Sequence, residues 1–235
     1  GGKIIGGTAA QGSAGGNLLV KDTANLMGGI IENGTSFSGI GGNVAAYGIL
    51  NLSGTVIKGG SANTGGNVYL SGTMNMTGGR LEKGKANNFG GNIQVSGTMY
   101  MSGGSILDGT AKNPKSHNVT VREGKLLHMT GGTIAGYVDG WITTLEDGTV
   151  LKATIALSGS PVIYGQAPAT GLVADAGYQL QLVGALTQKA KVLLSLNGAN
   201  ANALVTAAKD YTFTENDRAA FVQTEIDAET YELIL

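Results

Sequence analysis

Eight side chains in this sequence are the candidates for acid–base or metal chemistry. Paired carboxylates at a fixed separation can hydrolyse glycosidic bonds, and carboxylates gathered on one surface can bind Ca²⁺. Histidine can act as a general acid or base near neutral pH. The candidates are Asp22, Asp108, Glu123, Asp139, Glu146, Asp147, His117 and His128. Cysteine is absent, which excludes disulfides and thiolate metal sites. Whether any of the eight can cooperate depends on the elements that place them.

The sequence repeats itself with a period of about 25 residues. The segment 65–79 (GGNVYLSGTMNMTGG) returns almost unchanged at 90–104 (GGNIQVSGTMYMSGG), 25 positions later. Further Gly-Gly-Asn copies begin at Gly15 and Gly41, and a degenerate one includes Asn118. Self-similarity of this length is typical of solenoids and other repeat architectures.

Each repeat contains three short segments in which apolar residues alternate with variable ones. Period-two alternation bounded by glycine and polar turn residues predicts three strands per repeat. Apolar residues recur at the same positions in every copy, as stacking of like positions requires. The sequence therefore predicts an all-β, right-handed parallel β-helix of roughly eight coils. The predicted interior columns are Leu18/Val44/Val68/Ile93/Val119, Val20/Ala46/Leu70/Val95/Val121, Ala24/Leu50/Met74/Met99/Leu127, Leu26/Leu52/Met76/Met101/Met129 and Ile31/Ile57/Leu81/Ile106/Ile134.

The pattern becomes irregular toward the C-terminus. Alignment of 153–165 with the repeats places Ile155, Leu157 and Val162 in the core. Further strands are predicted at Tyr178–Val183 and Lys191–Leu196, and in YTF (211–213) and YELIL (231–235) around a short helix at Asp217–Gln223. We therefore divide the chain into regular repeats (1–170) and irregular terminal coils with a cap or junction (171–235). Because GGKIIGG aligns with the middle of a later repeat, we expect the chain to be part of a longer protein.

The repeat alignment does not bring the acidic residues together. Asp22 aligns with Gly72 and Gly97, Asp108 aligns with Glu82, and Glu146 and Asp147 lie in a turn sequence, LEDGTV. His117 replaces a corner glycine and His128 replaces Tyr100, and neither has an evident catalytic partner. We therefore predict no catalytic residues, no metal site and no cofactor.

Two polar columns remain. Asn17, Asn43, Asn67, Asn92 and Asn118 occupy a fixed corner, where stacked carboxamides can hydrogen-bond from coil to coil, so a structural role is predicted. Polar and aromatic residues on the outward side of the middle strand could bind sugars, although exposure alone also explains their polarity. Tyr69 and Gln94 are predicted to point outward on the first strand. The candidate ligand-binding residues are Asn75, Tyr100, His128, Tyr69 and Gln94.

Composition excludes some partners. Charged residues make up only 13% of the chain, the net charge is −1, and Lys and Arg form no cluster. Electrostatic binding to nucleic acid or to an anionic membrane is therefore not expected. No apolar run is long enough to span a membrane, so membrane insertion is not expected either.

The repeats SANTGGNVYLSGTMNMTGG and KANNFGGNIQVSGTMYMSGG resemble the β-helical repeats of large secreted or wall-attached adhesin-like proteins of Gram-positive gut bacteria. They are also similar in style to repeats of polymorphic autotransporter adhesins. The resemblance covers about residues 1–196 and brings no catalytic residues. It implies an extracellular protein, secreted or on the bacterial cell surface, whose partners are neighbouring domains and a host or microbial surface glycan or protein.

From the repeats and the resemblance together we expect a non-catalytic structural or adhesive segment that presents polar and aromatic faces of a rigid β-helix. Because β-helices also host polysaccharide lyases and hydrolases, a carbohydrate-binding or polysaccharide-degrading protein is the alternative.

Overall fold

A computed structural model shows a parallel β-solenoid of about seven turns. It describes residues 1–113, 116–165, 172–174, 178–196 and 205–223. Successive coils pair in parallel, and the three predicted strands of each repeat stack on their counterparts in the predicted register. Met74, for example, pairs with Met99, which in turn pairs with Leu127. The predicted fold class is confirmed, with about seven turns where roughly eight coils were expected.

We name the sides of the solenoid by the order of their strands within a Gly-Gly-Asn repeat. The first face contains Leu18–Val20, Val44–Ala46, Val68–Leu70, Ile93–Val95, Val119–Val121, Val138–Gly140 and Leu172–Ala174. The second face contains Thr23–Leu26, Ile49–Leu52, Thr73–Met76, Thr98–Met101, Leu126–Met129, Val150–Gly159, Tyr178–Leu186 and Val205–Ala207. The third face contains Lys3–Ile5, Ile30–Glu32, Val56–Lys58, Arg80–Glu82, Ser105–Leu107, Thr133–Ala135, Val162–Tyr164, Lys191–Leu196 and Phe221–Gln223.

The interior is a continuous apolar core that follows the solenoid axis. In the central coils its side chains are completely buried, including Val68, Met74 and Leu81 from the three faces of one coil. Adjacent outward residues such as Asn75 remain partly exposed. Strand alternation explains this division, because successive side chains point to opposite sides of a strand.

A fourth short strand, which the repeat pattern did not predict, connects the third face to the next Gly-Gly-Asn corner. These strands pair in parallel as a separate five-stranded sheet, the fourth face. Their inward residues are small, for example Ala62 and Ala86. The five strands are Thr8–Ala9, Thr35–Ile40, Ser61–Thr64, Lys85–Phe89 and Thr110–Ala111.

The fourth face ends after Ala111 because the following coil is shorter. Thirteen positions separate Ile106 from Val119, but only four separate their partners Ile134 and Val138 in the next coil. The solenoid thus changes from four-sided to three-sided at this step. A hairpin follows, in which Ile142–Thr144 pairs antiparallel with the start of the long strand Val150–Gly159.

The Gly-Gly-Asn corner is packed so tightly that a side chain at its second glycine would collide with the next coil. A Cβ on Gly66 would collide with the backbone of Gly91 and Lys85. His117 occupies the equivalent corner, and its ring packs edge-on against Tyr137 of the shortened next coil. Stacking of backbone on backbone therefore explains the conserved spacing of glycines within this chain.

We expect Gly66→Ala to lower the melting temperature by several degrees, because the added methyl group forces adjacent coils apart and overpacking costs about 1–3 kcal/mol. Gly28→Ala is the matched control, since nothing lies within 4 Å of a Cβ at that position. Thermal melts followed by circular dichroism measure both. Equal melting temperatures for the two variants would contradict the packing explanation.

One core residue was predicted wrongly. Ile163, not Val162, is buried and pairs with Ile134 of the preceding coil. Five positions separate Met76 from Leu81, whereas six separate Leu157 from Ile163. The extra residue at the Ser158–Pro161 corner shifts the following strand by one position, which exchanges its inward and outward side chains.

The C-terminal strands partly follow the prediction. Tyr178–Leu186 and Lys191–Leu196 are strands, and a helix spans Glu215–Ala220, which overlaps the predicted Asp217–Gln223. The helix starts earlier because Thr214 caps it, and Phe221–Gln223 instead pairs with Lys191–Leu196. YTF is not a strand, although Tyr211 and Phe213 both pack against the core. YELIL lies outside the described residues, and the division at residue 170 stays a prediction.

Asp217 fastens the helix to the solenoid. Its carboxylate is completely buried and accepts hydrogen bonds from the Leu186 amide at 2.8 Å, the Tyr211 hydroxyl at 2.5 Å and the Thr214 amide at 2.6 Å. Burial alone would raise the pKa of this carboxyl, but the hydrogen bonds outweigh it and hold the pKa below its usual value.

A carboxyl whose pKa is lower in the folded state stabilises that state above its unfolded pKa, about 3.9. This stability is lost as the pH falls through the folded pKa. We therefore expect the melting temperature to fall more steeply below pH 4 in the wild type than in Asp217→Asn, which should already melt lower at pH 7. Thermal melts from pH 7 to pH 2.5 measure this, and parallel curves would contradict the role of Asp217.

Candidate functional site

The corner asparagines form a buried hydrogen-bonded column, the asparagine ladder, which confirms their predicted structural role. Asn43 Nδ2 donates to Asn67 Oδ1 at 2.7 Å and to the Lys58 carbonyl at 2.9 Å. The Asn67 oxygen also accepts from the Gly60 amide at 2.9 Å. The same pattern runs from Asn17 to Asn118. Because these side chains are occupied inside the protein, they cannot serve as a ligand-binding row.

The predicted outward row of the second face exists and has two parts. In its first part, Asn75 donates to Asn51 and Asn51 donates to Asn25, each at 2.8 Å. In its second part, Tyr100 and His128 pair in register on adjacent coils, with ring centroids 6.0 Å apart in an edge-on arrangement. The row therefore changes from an amide ladder to an aromatic pair between Asn75 and Tyr100.

A shallow groove of about 280 Å³ follows the second part of this row. It is lined by Asn75, Tyr100 and His128, by the hydroxyl residues Thr77, Ser102 and Thr130, and by Met76 and Met101. The Tyr100 side chain is 44% exposed, which leaves part of its ring available for stacking. Aromatic surface beside hydroxyl and amide groups is suited to a neutral, hydroxyl-rich ligand.

The imidazole of His128 is expected to be neutral at pH 7. Burial lowers its pKa, and Nε2 has no hydrogen-bond partner within the described part of the chain. Since the unfolded chain binds the proton first, this residue should reduce stability as the pH falls below about 6.5. An NMR titration should give a midpoint below 6.5, and a midpoint at or above that value would show that burial does not control this group.

Tyr69 and Gln94 point outward from the first face, as predicted, but only Tyr69 is partly exposed. Its ring lies 6.4 Å from that of Tyr47. Gln94 is only 4% exposed.

The rings of Phe89 and Trp141 meet 4.4 Å apart, and the Arg122 guanidinium lies 4.0 Å from the Trp141 ring centre.

We call Phe89, Trp141 and Arg122 the aromatic lid. Phe89 precedes the first-face strand that contains Gln94, whereas Trp141 follows a first-face strand two coils later, so their contact crosses the outward side of this face. Gln94 is therefore not accessible to a surface ligand. Ligand binding stays a prediction for Asn75, Tyr100, His128 and Tyr69.

The acidic candidates remain separate, as the alignment indicated. Glu123 forms an ion pair with Arg122 at 2.7 Å, and Asp147 accepts from the Thr149 amide within its turn. Among the described residues, no group of three or more His, Asp or Glu side chains is placed to hold a metal ion.

Sequence reasoning missed the hydroxyl residues of the groove and the aromatic lid. The hydroxyl residues were detectable, because Thr77, Ser102 and Thr130 each follow the last residue of a second-face strand. The lid was not, because Phe89 and Trp141 are 52 positions apart and neither belongs to a column that is apolar in every repeat.

The comparisons with known proteins give no match: no protein-family model fits the chain, and neither curated proteins nor solved structures show significant similarity to it. Within the described ranges, no helix has the length and apolar character needed to cross a membrane.

Proposed function

We propose that the chain is a non-catalytic structural and adhesive segment of an extracellular bacterial surface protein. The observation that carries this proposal is the asparagine ladder, which connects five consecutive coils through buried hydrogen bonds. Together with the continuous core it makes the solenoid a stiff rod. At about 4.8 Å per coil, seven coils extend for about 34 Å. The outward positions can then vary to suit a partner without changing the interior.

The adhesive part of this proposal can be tested with protein-coated beads. Beads carrying the wild-type chain should adhere to mucin, to epithelial cells or to bacterial cells more than beads coated with an unrelated β-solenoid. Tyr100→Ala tests the second face and Tyr69→Ala the first. Adhesion no greater than that of the control beads on all three targets would contradict an adhesive role.

A second candidate function is carbohydrate binding at the groove, favoured by the presence of Tyr100 and His128 beside Thr77, Ser102 and Thr130 in its lining. Glycan-array screening followed by calorimetry should identify a neutral oligosaccharide whose binding is lost in Tyr100→Ala. Asn25→Ala is the matched control, because Asn25 lies in the same row but outside the groove. Loss of binding in both variants, or in neither, would contradict this site.

Catalysis can be tested on the same protein. Incubation with a panel of plant, host and bacterial polysaccharides should release neither reducing ends nor unsaturated sugars. Turnover above that of heat-denatured protein would contradict the non-catalytic proposal and favour a polysaccharide-degrading β-helix.

A further inference from the structure

Below the aromatic lid, the outward side of the first face carries a row of buried polar side chains. Gln94 pairs in register with Thr120, and Thr120 pairs with Asp139 on the next coil. Gln94 is 4% exposed, Thr120 is 0% exposed and Asp139 is nearly buried. Polar residues on the outside of a strand normally face solvent. Here the three side chains are buried although they lie on the outward side.

Two oxygen atoms in this row have no hydrogen-bond partner among the residues that the structure describes. They are Gln94 Oε1 and Thr120 Oγ1. The remaining polar groups are used: Gln94 Nε2 donates to Ser96 Oγ at 3.0 Å, and Ser116 Oγ donates to Asp139 Oδ2 at 2.6 Å. Buried polar atoms in native proteins are nearly always hydrogen-bonded, if not to protein then to ordered water.

Gln94 and Thr120 are register partners on adjacent strands, which brings both side chains within reach of one bridging molecule. Adjacent parallel strands lie about 4.8 Å apart. Two hydrogen bonds of about 2.8 Å that meet at a tetrahedral angle span about 4.6 Å. A water molecule can donate to Gln94 Oε1 and accept from, or donate to, the Thr120 hydroxyl, whereas a direct bond between the two side chains is not formed.

We propose that one internal water molecule binds between Gln94 and Thr120 beneath the aromatic lid. This water completes the hydrogen bonding of the first face at the coils where the solenoid changes from four-sided to three-sided. It is a structural site for a neutral hydrogen-bonding molecule and differs from the groove on the second face.

A crystal structure at a resolution that shows ordered water tests the site directly. The expected result is a water about 2.6–3.2 Å from both Gln94 Oε1 and Thr120 Oγ1. A rotated Gln94 amide that donates directly to Thr120, a metal ion at this position, or density without any molecule would each overturn the proposal.

A double-mutant cycle provides an independent measurement. Thr120→Val and Gln94→Met keep the side-chain size nearly unchanged. Each removes one partner of the water, and Gln94→Met also removes the hydrogen bond to Ser96, so each should lower the melting temperature by about 2–5 °C. The double variant should melt no lower than the less stable of the two single variants, because both substitutions lose the same water. Additive losses would overturn the shared site. Thr98→Val, at a partly exposed threonine of the second face, is the control and should change the melting temperature little.

Discussion

Val68→Asp is expected to prevent the solenoid from folding. Val68 is completely buried on the first face, between Val44 of the preceding coil and Ile93 of the next. An aspartate there places an unpaired charge in an apolar column that has no polar partner for it. Burying such a charge costs several kcal/mol, which is comparable to the whole stability of a domain.

Circular dichroism and thermal melting should show loss of the β-sheet signal and no cooperative transition for Val68→Asp. Asn75→Ala is the matched control from the same coil, because Asn75 points outward and its amide makes one hydrogen bond, to Asn51. Its melting temperature should stay within about 1 °C of the wild type. Similar damage in both variants would refute the assignment of inward and outward positions.

Asn67→Ala should have the second largest effect, a fall of about 10 °C in melting temperature. Asn67 accepts from Asn43 Nδ2 and the Gly60 amide and donates to the Glu82 carbonyl and Asn92 Oδ1, all at 2.7–2.9 Å. Truncation leaves two buried donors, the Gly60 amide and one N–H of Asn43, without an acceptor. It also removes one of the two hydrogen bonds accepted by the Glu82 carbonyl and by Asn92 Oδ1. Each unsatisfied buried donor costs about 1–3 kcal/mol.

Asn67→Asp tests the direction of these hydrogen bonds. A carboxylate could still accept from Asn43 and Gly60, but it would face the Glu82 carbonyl and Asn92 Oδ1 with lone pairs in place of donors. We expect it to be at least as damaging as the alanine variant. Asn25→Ala, which removes an exposed amide ladder contact, should be nearly neutral. A stable Asn67→Asp protein would contradict the assigned direction.

The repeating part of the fold could be predicted because its signal is apolar and periodic. Columns such as Val68/Ile93 and Met74/Met99 fix both the strand and its inward side. The fourth face was not predicted because its inward residues are small, for example Ala62 and Ala86, and small residues do not give a strong strand pattern. Their recurrence one per repeat was nonetheless present in the sequence.

The candidate site was less predictable because its properties depend on contacts outside the repeat. Alternation correctly pointed Gln94 outward, but exposure also depends on what covers the surface, and Trp141 comes from two coils away. Tyr100 and His128 follow the column, so their pairing could be expected from register alone. The ligand for such a face cannot be read from periodicity, because outward positions vary without affecting the core.

The hydrogen bonds of the asparagine ladder all run in one direction, which gives the solenoid a polarity along its axis. From Asn17 to Asn118 every carboxamide nitrogen points to the oxygen of the next coil, and Asn118 then donates to the Ala135 carbonyl. The side-chain dipoles therefore align head to tail, and hydrogen bonds in such chains polarise one another. Removing a central amide interrupts this mutual reinforcement on both sides, whereas removing a terminal one shortens it, so sensitivity to substitution should increase from the ends of the row toward its middle.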